Sequence, residues 1–140
     1  MKKYYIGIDL GGTNISAGVV DEEFNILSKA KTRTNCPREA KLIADDMAKT
    51  AIEAVTKAGI SIDDVEWIGV GSPGTANSDT GVIEYSNNLG FLNTPLAALI
   101  QETIIKPVYV ENDANAAAYG EFLAGAAKGS SSAVCITLGT

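Results

Sequence analysis

The segment 5–14, Tyr-Ile-Gly-Ile-Asp-Leu-Gly-Gly-Thr-Asn, constrains this chain most, because it joins an apolar run to a turn built almost wholly of backbone. The apolar run reads as a buried strand with one carboxylate, Asp9, near its end. Gly11 and Gly12 can take positive φ, so their N–H groups can point at an anion, and Thr13 adds a hydroxyl. The segment predicts a phosphate-binding loop or a simple hairpin turn, and a short glycine turn alone does not separate the two.

Composition narrows the classes of function. The chain has 140 residues, a net charge of −6, no histidine and two cysteines. An acidic chain is a poor partner for nucleic acid or an anionic membrane. Without histidine, carboxylates are the available general bases near neutral pH. Cys36 and Cys135 form no CxxC pair, so neither a disulfide framework nor a zinc cluster is indicated. No apolar run is long enough for a membrane span or a signal segment, which predicts a soluble, cytoplasmic protein.

The first half of the chain reads as strands followed by a long helix. Short turns predict that the first three strands are antiparallel neighbours, near residues 4–10, 15–21 and 26–33. Pro37 is expected to open a helix that runs to about Lys57, with Gly59 as its stop. Apolar residues recur every four positions along this helix, which predicts one buried face: Ile43, Met47, Ala51 and Val55.

The second half alternates strands with helices. The pattern predicts a strand at 65–71, a loop or small hairpin at 76–93, a helix with Thr94 as N-cap and Pro95 in its first turn, a strand at 108–110, a helix at 114–127 and a last strand at 133–138. This order predicts an α/β fold with a mixed sheet, three antiparallel strands followed by parallel ones, and helices on both faces. Asp9 and Asn112-Asp113 then fall at the carboxyl ends of parallel strands, where open α/β sheets bind ligands.

Four motifs in this order resemble the N-terminal half of ROK-family sugar kinases, the bacterial glucokinase group: residues 6–14, 71–74, 111–117 and 137–140. The resemblance covers the whole chain. It implies a ribonuclease-H-like domain of the actin-like ATPase superfamily, in which two lobes enclose a cleft. Residues 1–140 are therefore expected to form the N-terminal lobe, with the C-terminal lobe absent from this chain.

The resemblance also implies roles in binding ATP. Asp9 would organise Mg²⁺ through water, and the stretch from Gly11 to Thr13 would form the first phosphate loop. Gly139 and Thr140 would open the second phosphate turn. The family's zinc site and most of its adenosine pocket are expected to lie outside this chain.

On the sugar side, the resemblance makes Asp113 the general base that takes the proton of the attacking hydroxyl. Asn112 would hydrogen-bond a neighbouring hydroxyl, and Gly74 and Asn88 would line the sugar pocket. Simpler interpretations exist: Asn and Asp lead at helix N-caps, and Gly and Asn lead in turns. The segment 87–91 lacks the proline and tryptophan of the commoner family pattern, which weakens the assignment of glucose in particular.

The implied activity is the ATP-dependent phosphorylation of a hexose, first of all glucose to glucose 6-phosphate. A kinase for N-acetylmannosamine or fructose, or a non-catalytic sugar-responsive regulator of the same family, is the alternative. The isolated chain is expected to be inactive, because it supplies one wall of a two-walled cleft. Full-length members are often homodimers, so a dimer is expected only of the longer protein.

Overall fold

The structure, a computed structural model, describes residues 2–132 and 134. In chain order, its elements are β1 (Tyr4–Leu10), β2 (Asn14–Asp21), β3 (Ile26–Arg33), α1 (Ala40–Ala58), β4 (Val65–Ser72), β5 (Thr75–Asn77), β6 (Val82–Ser86), β7 (Phe91–Thr94), α2 (Leu96–Gln101), β8 (Val108–Asn112) and α3 (Asp113–Ala124). A short 3-10 turn, Ile62–Asp64, precedes β4. Apart from Val134, the strand predicted at 133–138 lies outside the described residues, as do Gly139 and Thr140.

The main sheet has five strands in the order β3-β2-β1-β4-β8. The first three strands pair antiparallel, because the turns between them are short. Strands β1, β4 and β8 pair parallel, since the chain returns to the sheet after each longer crossover. The mixed sheet predicted from the sequence is therefore confirmed, and β1 at its centre is flanked by one partner of each kind.

One face of the sheet packs on α1 and α2 to form the core. Alternate residues of β1 point into it, so that Ile6, Ile8 and Leu10 are buried. The predicted apolar face of α1 is buried against them: Ile43, Met47, Ala51 and Val55. Gly59 ends α1 in the left-handed conformation at φ 73°, as a C-terminal glycine does.

The opposite face carries α3 over its carboxyl edge, so helices lie on both faces as predicted. Gly71 makes this close crossing possible, because a Cβ there would lie 3.3 Å from the Cα of Asp113 and 3.6 Å from the Cβ of Ala116. No residue of α3 is buried, so the expected close packing of its small residues is limited to the first turns. An open groove of about 1370 Å³ runs along the rest of this face.

The beginning of α1 differs from the expectation. Pro37 does not open the helix, which begins at Ala40, and the Cys36–Pro37 peptide bond is cis. Residues 34–38 have other partners instead: the Arg38 Nε donates to the Thr34 carbonyl at 2.8 Å, and the Arg38 guanidinium pairs with Asp46. These contacts hold the segment against the start of α1.

The region 75–101 also differs in detail. The stretch expected to be a loop or hairpin is a separate antiparallel sheet of β5, β6 and β7. Thr94 is not an N-cap, because it is the last residue of β7 and pairs with Ile83. Pro95 takes the N-cap position of α2, without a side-chain cap. The three-stranded unit, called the small sheet below, contacts β8 through β5.

Candidate active site

The glycine turn connects β1 to β2, so it is a hairpin turn in its backbone path. The Gly11 N–H donates to the Asn14 carbonyl at 2.8 Å. Neither Gly11 nor Gly12 has a positive φ, which differs from the sequence-based expectation. Glycine is needed at position 11 because a Cβ there would lie 3.0 Å from that same Asn14 oxygen. Within residues 2–132 and 134, the N–H groups of Gly12 and Thr13 meet no acceptor, so both are available to an anion.

Thr34, at 0% exposure, fixes this turn from the other side. Its hydroxyl donates to the Gly11 carbonyl at 2.6 Å, and its N–H donates to the Thr13 carbonyl at 2.9 Å. The Gly11 carbonyl is therefore turned toward Thr34. Because a trans peptide places its N–H opposite its carbonyl, the Gly12 N–H faces away from Thr34. No local sequence signal pointed to Thr34, because its partners lie more than twenty positions earlier.

Asp9 lies in β1 beside the turn and is in register with Ser16 on β2 and Gly71 on β4. Partial burial, together with the nearby Asp113 carboxylate, raises the pKa of Asp9 above its ordinary value of 3.8. The described residues contain no group of three or more His, Cys, Asp or Glu that could cage a metal. A single carboxylate beside a phosphate turn suits Mg²⁺, which keeps most of its waters and is held by one or two carboxylates plus substrate phosphates.

Asn112 and Asp113 form the junction between β8 and α3. Asn112 is the N-cap of α3: its Oδ1 accepts from the N–H of Ala114 at 3.0 Å and of Asn115 at 3.2 Å. Its Nδ2 donates to the Gly74 carbonyl at 2.8 Å. Asp113 is the first helical residue, and its Oδ1 accepts from the Ala114 N–H at 2.8 Å. The capping interpretation is therefore correct for Asn112. In the described part of the chain the Asp113 Oδ2 accepts no hydrogen bond, so that oxygen is available to a substrate.

Gly74 and Asn88 both lie in turns, as the simpler interpretation held. Gly74 has a φ of 94°, and a Cβ there would lie 2.1 Å from the Tyr85 carbonyl oxygen. Asn88 is exposed in the turn between β6 and β7, and its Cβ lies 3.7 Å from the place of a Cβ on Gly12. The small sheet thus carries Asn88 to the glycine turn.

The predicted residues therefore meet at one edge of the main sheet. Asp9, the glycine turn, Asn88 and Asp113 are brought together there, and Gly74 joins them through Asn112. No role was predicted for Glu111, whose carboxylate accepts a hydrogen bond from the Asn112 N–H at 2.7 Å. Its position directly before the predicted pair was the signal that could have found it.

Comparison with known proteins agrees with this architecture. A family model described as the ROK family matches residues 5–140. The chain belongs to the ROK family. A glucokinase of Streptomyces coelicolor is 42% identical over 135 residues, which are 96% of this chain and 40% of that enzyme. A fructokinase of Lactococcus lactis subsp. cremoris is 32% identical over 126 residues, which are 86% of this chain and 39% of that enzyme.

A solved structure supports the fold. The ROK-family glucokinase of Streptomyces griseus, in complex with glucose and AMPPNP, superposes with a TM-score of 0.81 at 39% identity, over 90% of this chain and 38% of that one. The ribonuclease-H-like, actin-like ATPase fold predicted from the sequence is thereby confirmed. The chain spans about two fifths of the length of the curated relatives it matches. No helix in residues 2–132 combines the length and the apolarity that a bilayer crossing needs.

Proposed function

We propose that this chain is the N-terminal lobe of a two-lobed kinase that transfers the γ-phosphoryl group of ATP to a hexose, with glucose as the first candidate. The observation that carries the proposal is that, among the described residues, the Asp113 Oδ2 and the N–H groups of Gly12 and Thr13 have no hydrogen-bond partner at the same sheet edge. An acceptor for a proton and donors for a phosphate thus occupy one site. The glucokinase relatives, one of them in complex with glucose and an ATP analogue, support this substrate pair.

In the proposed reaction, Asp113 accepts the proton of the sugar hydroxyl while that oxygen forms a bond to the γ-phosphorus and ADP leaves. Such transfers depend mainly on positioning and on charge stabilisation, so the aim of the Asp113 carboxylate matters most. The N–H groups of Gly12 and Thr13 would hold phosphate oxygens. Asp9 would hold Mg²⁺ through water, and the ion would neutralise charge on the transferred group.

A phosphorylation assay on the full-length polypeptide tests the role of Asp113. We expect Asp113→Asn to lower kcat by about 10²- to 10⁴-fold, the usual contribution of a general base. Glu22→Gln makes the same carboxylate-to-amide change at an exposed position and should leave kcat unchanged. Full kcat in Asp113→Asn would show that another group takes the proton.

The identity of the sugar is tested by assaying phosphorylation of glucose, fructose and N-acetylmannosamine. Fructose is the second candidate because a fructokinase is among the relatives. The segment 87–91, which contains Asn88, departs from the commoner family pattern and so weakens the assignment of glucose. The values of kcat/KM for the three sugars therefore decide which one is the substrate. Phosphorylation of none of these sugars, with sugar binding retained, would favour a non-catalytic regulator.

The isolated 140-residue chain should have no appreciable kinase activity, because it offers one wall of the cleft. The comparison is with typical kinase turnover of roughly 1–100 per second. Turnover in that range by the chain alone would contradict the two-lobed proposal. A homodimer, if one forms, is proposed for the full-length protein only.

A further inference from the structure

Two hydrogen bonds tie the β8–α3 junction to the two ends of β5. At one end, the Asn112 Nδ2 donates to the carbonyl of Gly74, which directly precedes β5, at 2.8 Å. At the other end, the hydroxyl of Ser78, which directly follows β5, donates to the Glu111 Oε2 at 3.1 Å. We call these two bonds the β5 clamp. Since β5 is the first strand of the small sheet, the clamp fixes that sheet to the main sheet.

Glu111 accepts hydrogen bonds both from the β8–α3 junction and from the end of β5. Its Oε1 accepts from the backbone N–H of Asn112 at 2.7 Å, and the Asn115 Nδ2 approaches the same oxygen at 3.5 Å. The hydrogen bond from the Asn112 N–H, followed by those from Asn115 and Ser78, holds the pKa of Glu111 below its ordinary value. The carboxylate is therefore ionised at neutral pH and remains a strong acceptor for the Ser78 hydroxyl.

The place of Glu111 in the sheet argues against a direct part in phosphoryl transfer. Asp9, Gly71 and Glu111 stand in one row across β1, β4 and β8. Two strand spacings of about 4.8 Å separate the backbone of Asp9 from that of Glu111. Glu111 thus lies on the side of the row away from the glycine turn, and its oxygens already have partners within the protein.

The β5 clamp positions Asn88. The small sheet carries Asn88 on its β6–β7 turn, next to Gly12. Asp113, by contrast, belongs to the β8–α3 junction. The distance between these two residues therefore depends on how firmly the small sheet is held to that junction, and Glu111 and Asn112 make the side-chain bonds that hold it.

We propose that Glu111 is a positioning residue for sugar recognition, acting through Ser78 and the Asn112 backbone to hold the Asn88 turn at a fixed distance from Asp113. This inference rests on the proposed sugar-kinase function. It assigns a role in affinity for the sugar, separate from the proton transfer that Asp113 performs.

Steady-state kinetics of the full-length polypeptide test the proposal through the separation of KM from kcat. Glu111→Ala removes the acceptor of a charge-assisted bond and should raise KM for the sugar by about 10- to 100-fold. Ser78→Ala removes the single Ser78–Glu111 bond and should raise it by about 2- to 10-fold. KM for ATP should be unchanged in both variants, because the glycine turn keeps its own support from Thr34.

Two further variants show whether an effect on KM comes from lost positioning, from the lost charge of Glu111, or from nonspecific damage to the loop. Glu111→Gln keeps an oxygen for the Asn112 N–H and an amide that can donate to the Ser78 hydroxyl, so its KM should return to within about threefold of the parent. Thr80→Ala removes a hydroxyl from the same loop, one that makes none of the described hydrogen bonds, and should change nothing. A Gln variant as impaired as the Ala variant, or a Glu111→Ala variant whose loss is confined to kcat, overturns the proposal.

Amide hydrogen exchange in the 140-residue protein gives a readout that needs neither sugar nor nucleotide. Glu111→Ala and Ser78→Ala should speed exchange in the small sheet, residues 75–94, and leave β1 to β3 unchanged. Unchanged exchange in the small sheet overturns the clamp even where the kinase assay succeeds. Faster exchange together with an inactive full-length protein keeps the clamp and rejects the kinase function, so the two failures are distinguishable.

Discussion

Gly74 is the position at which a single added methyl group should disturb the site most. Its φ of 94° lies in the region that L-residues avoid, and that conformation costs a non-glycine residue about 1–2 kcal/mol. A Cβ would also lie 2.1 Å from the Tyr85 carbonyl oxygen and 2.9 Å from the Cα of Ser86. Both atoms are backbone, so no side-chain rotation relieves the clash, and overpacking of this kind costs about 1–3 kcal/mol.

We therefore expect Gly74→Ala to lower the free energy of unfolding by about 2–5 kcal/mol, the sum of the two costs. The matched control is Gly90→Ala, at φ 68°, where nothing lies within 4 Å of the added Cβ, so only the conformational cost applies. Urea unfolding followed through Trp67, the single tryptophan, measures both variants. Equal losses at the two positions would refute the reasoning, because the clash would then contribute nothing.

Three further substitutions, one of them with a matched control, test the electrostatics and hydrogen bonding around the site. Ser86 is buried with a hydroxyl that has no partner among the described residues, so Ser86→Ala should raise the free energy of unfolding by about 1 kcal/mol; Ser72→Ala, which removes a bonded hydroxyl, should not. Thr34→Val should lower the free energy of unfolding by about 1–3 kcal/mol in the same urea assay, because it leaves the Gly11 carbonyl without its 2.6 Å donor. The raised pKa of Asp9 means that its charge opposes folding at neutral pH, so Asp9→Asn should raise the urea midpoint at pH 7. That gain should shrink as the pH falls toward the ordinary value of 3.8, and a gain independent of pH would contradict the assignment.

The parts of the fold that could be predicted are those with strong local patterns. The strand β1 and the buried face of α1 follow from periodicity, which reports directly on one-sided burial. The predicted beginnings of α1 and α2 were wrong because contacts outside each helix overrode the capping signals of the sequence. Pro37 lies in a segment held by Arg38, and Thr94 uses its backbone to pair with Ile83 on β6.

The residues of the candidate site also differ in whether a local sequence pattern could identify them. Asp9 and Asp113 were identifiable because polar residues at the ends of apolar parallel strands mark the ligand-binding edge of an open sheet, whereas Asn88 was proposed from the family resemblance alone. Thr34 and Ser78 were not, since their partners lie 23 and 33 positions away in the chain. Their roles depend on which strands become neighbours, and that is a property of the folded sheet.

The cap and the sugar contact need not compete for Asn112, because they use different atoms of its amide. Its Oδ1 has two lone pairs, and the N–H groups of Ala114 and Asn115 occupy both. Its Nδ2 has two hydrogens, and Gly74 takes one. The Asn112 amide can therefore take part in the proposed sugar contact only as a donor. A hydroxyl that accepts this bond keeps its own proton available to donate, and the Oδ2 of the adjacent Asp113 accepts no hydrogen bond among the described residues. Capping thus gives Asn112 the donor polarity that suits a neighbour of a general base.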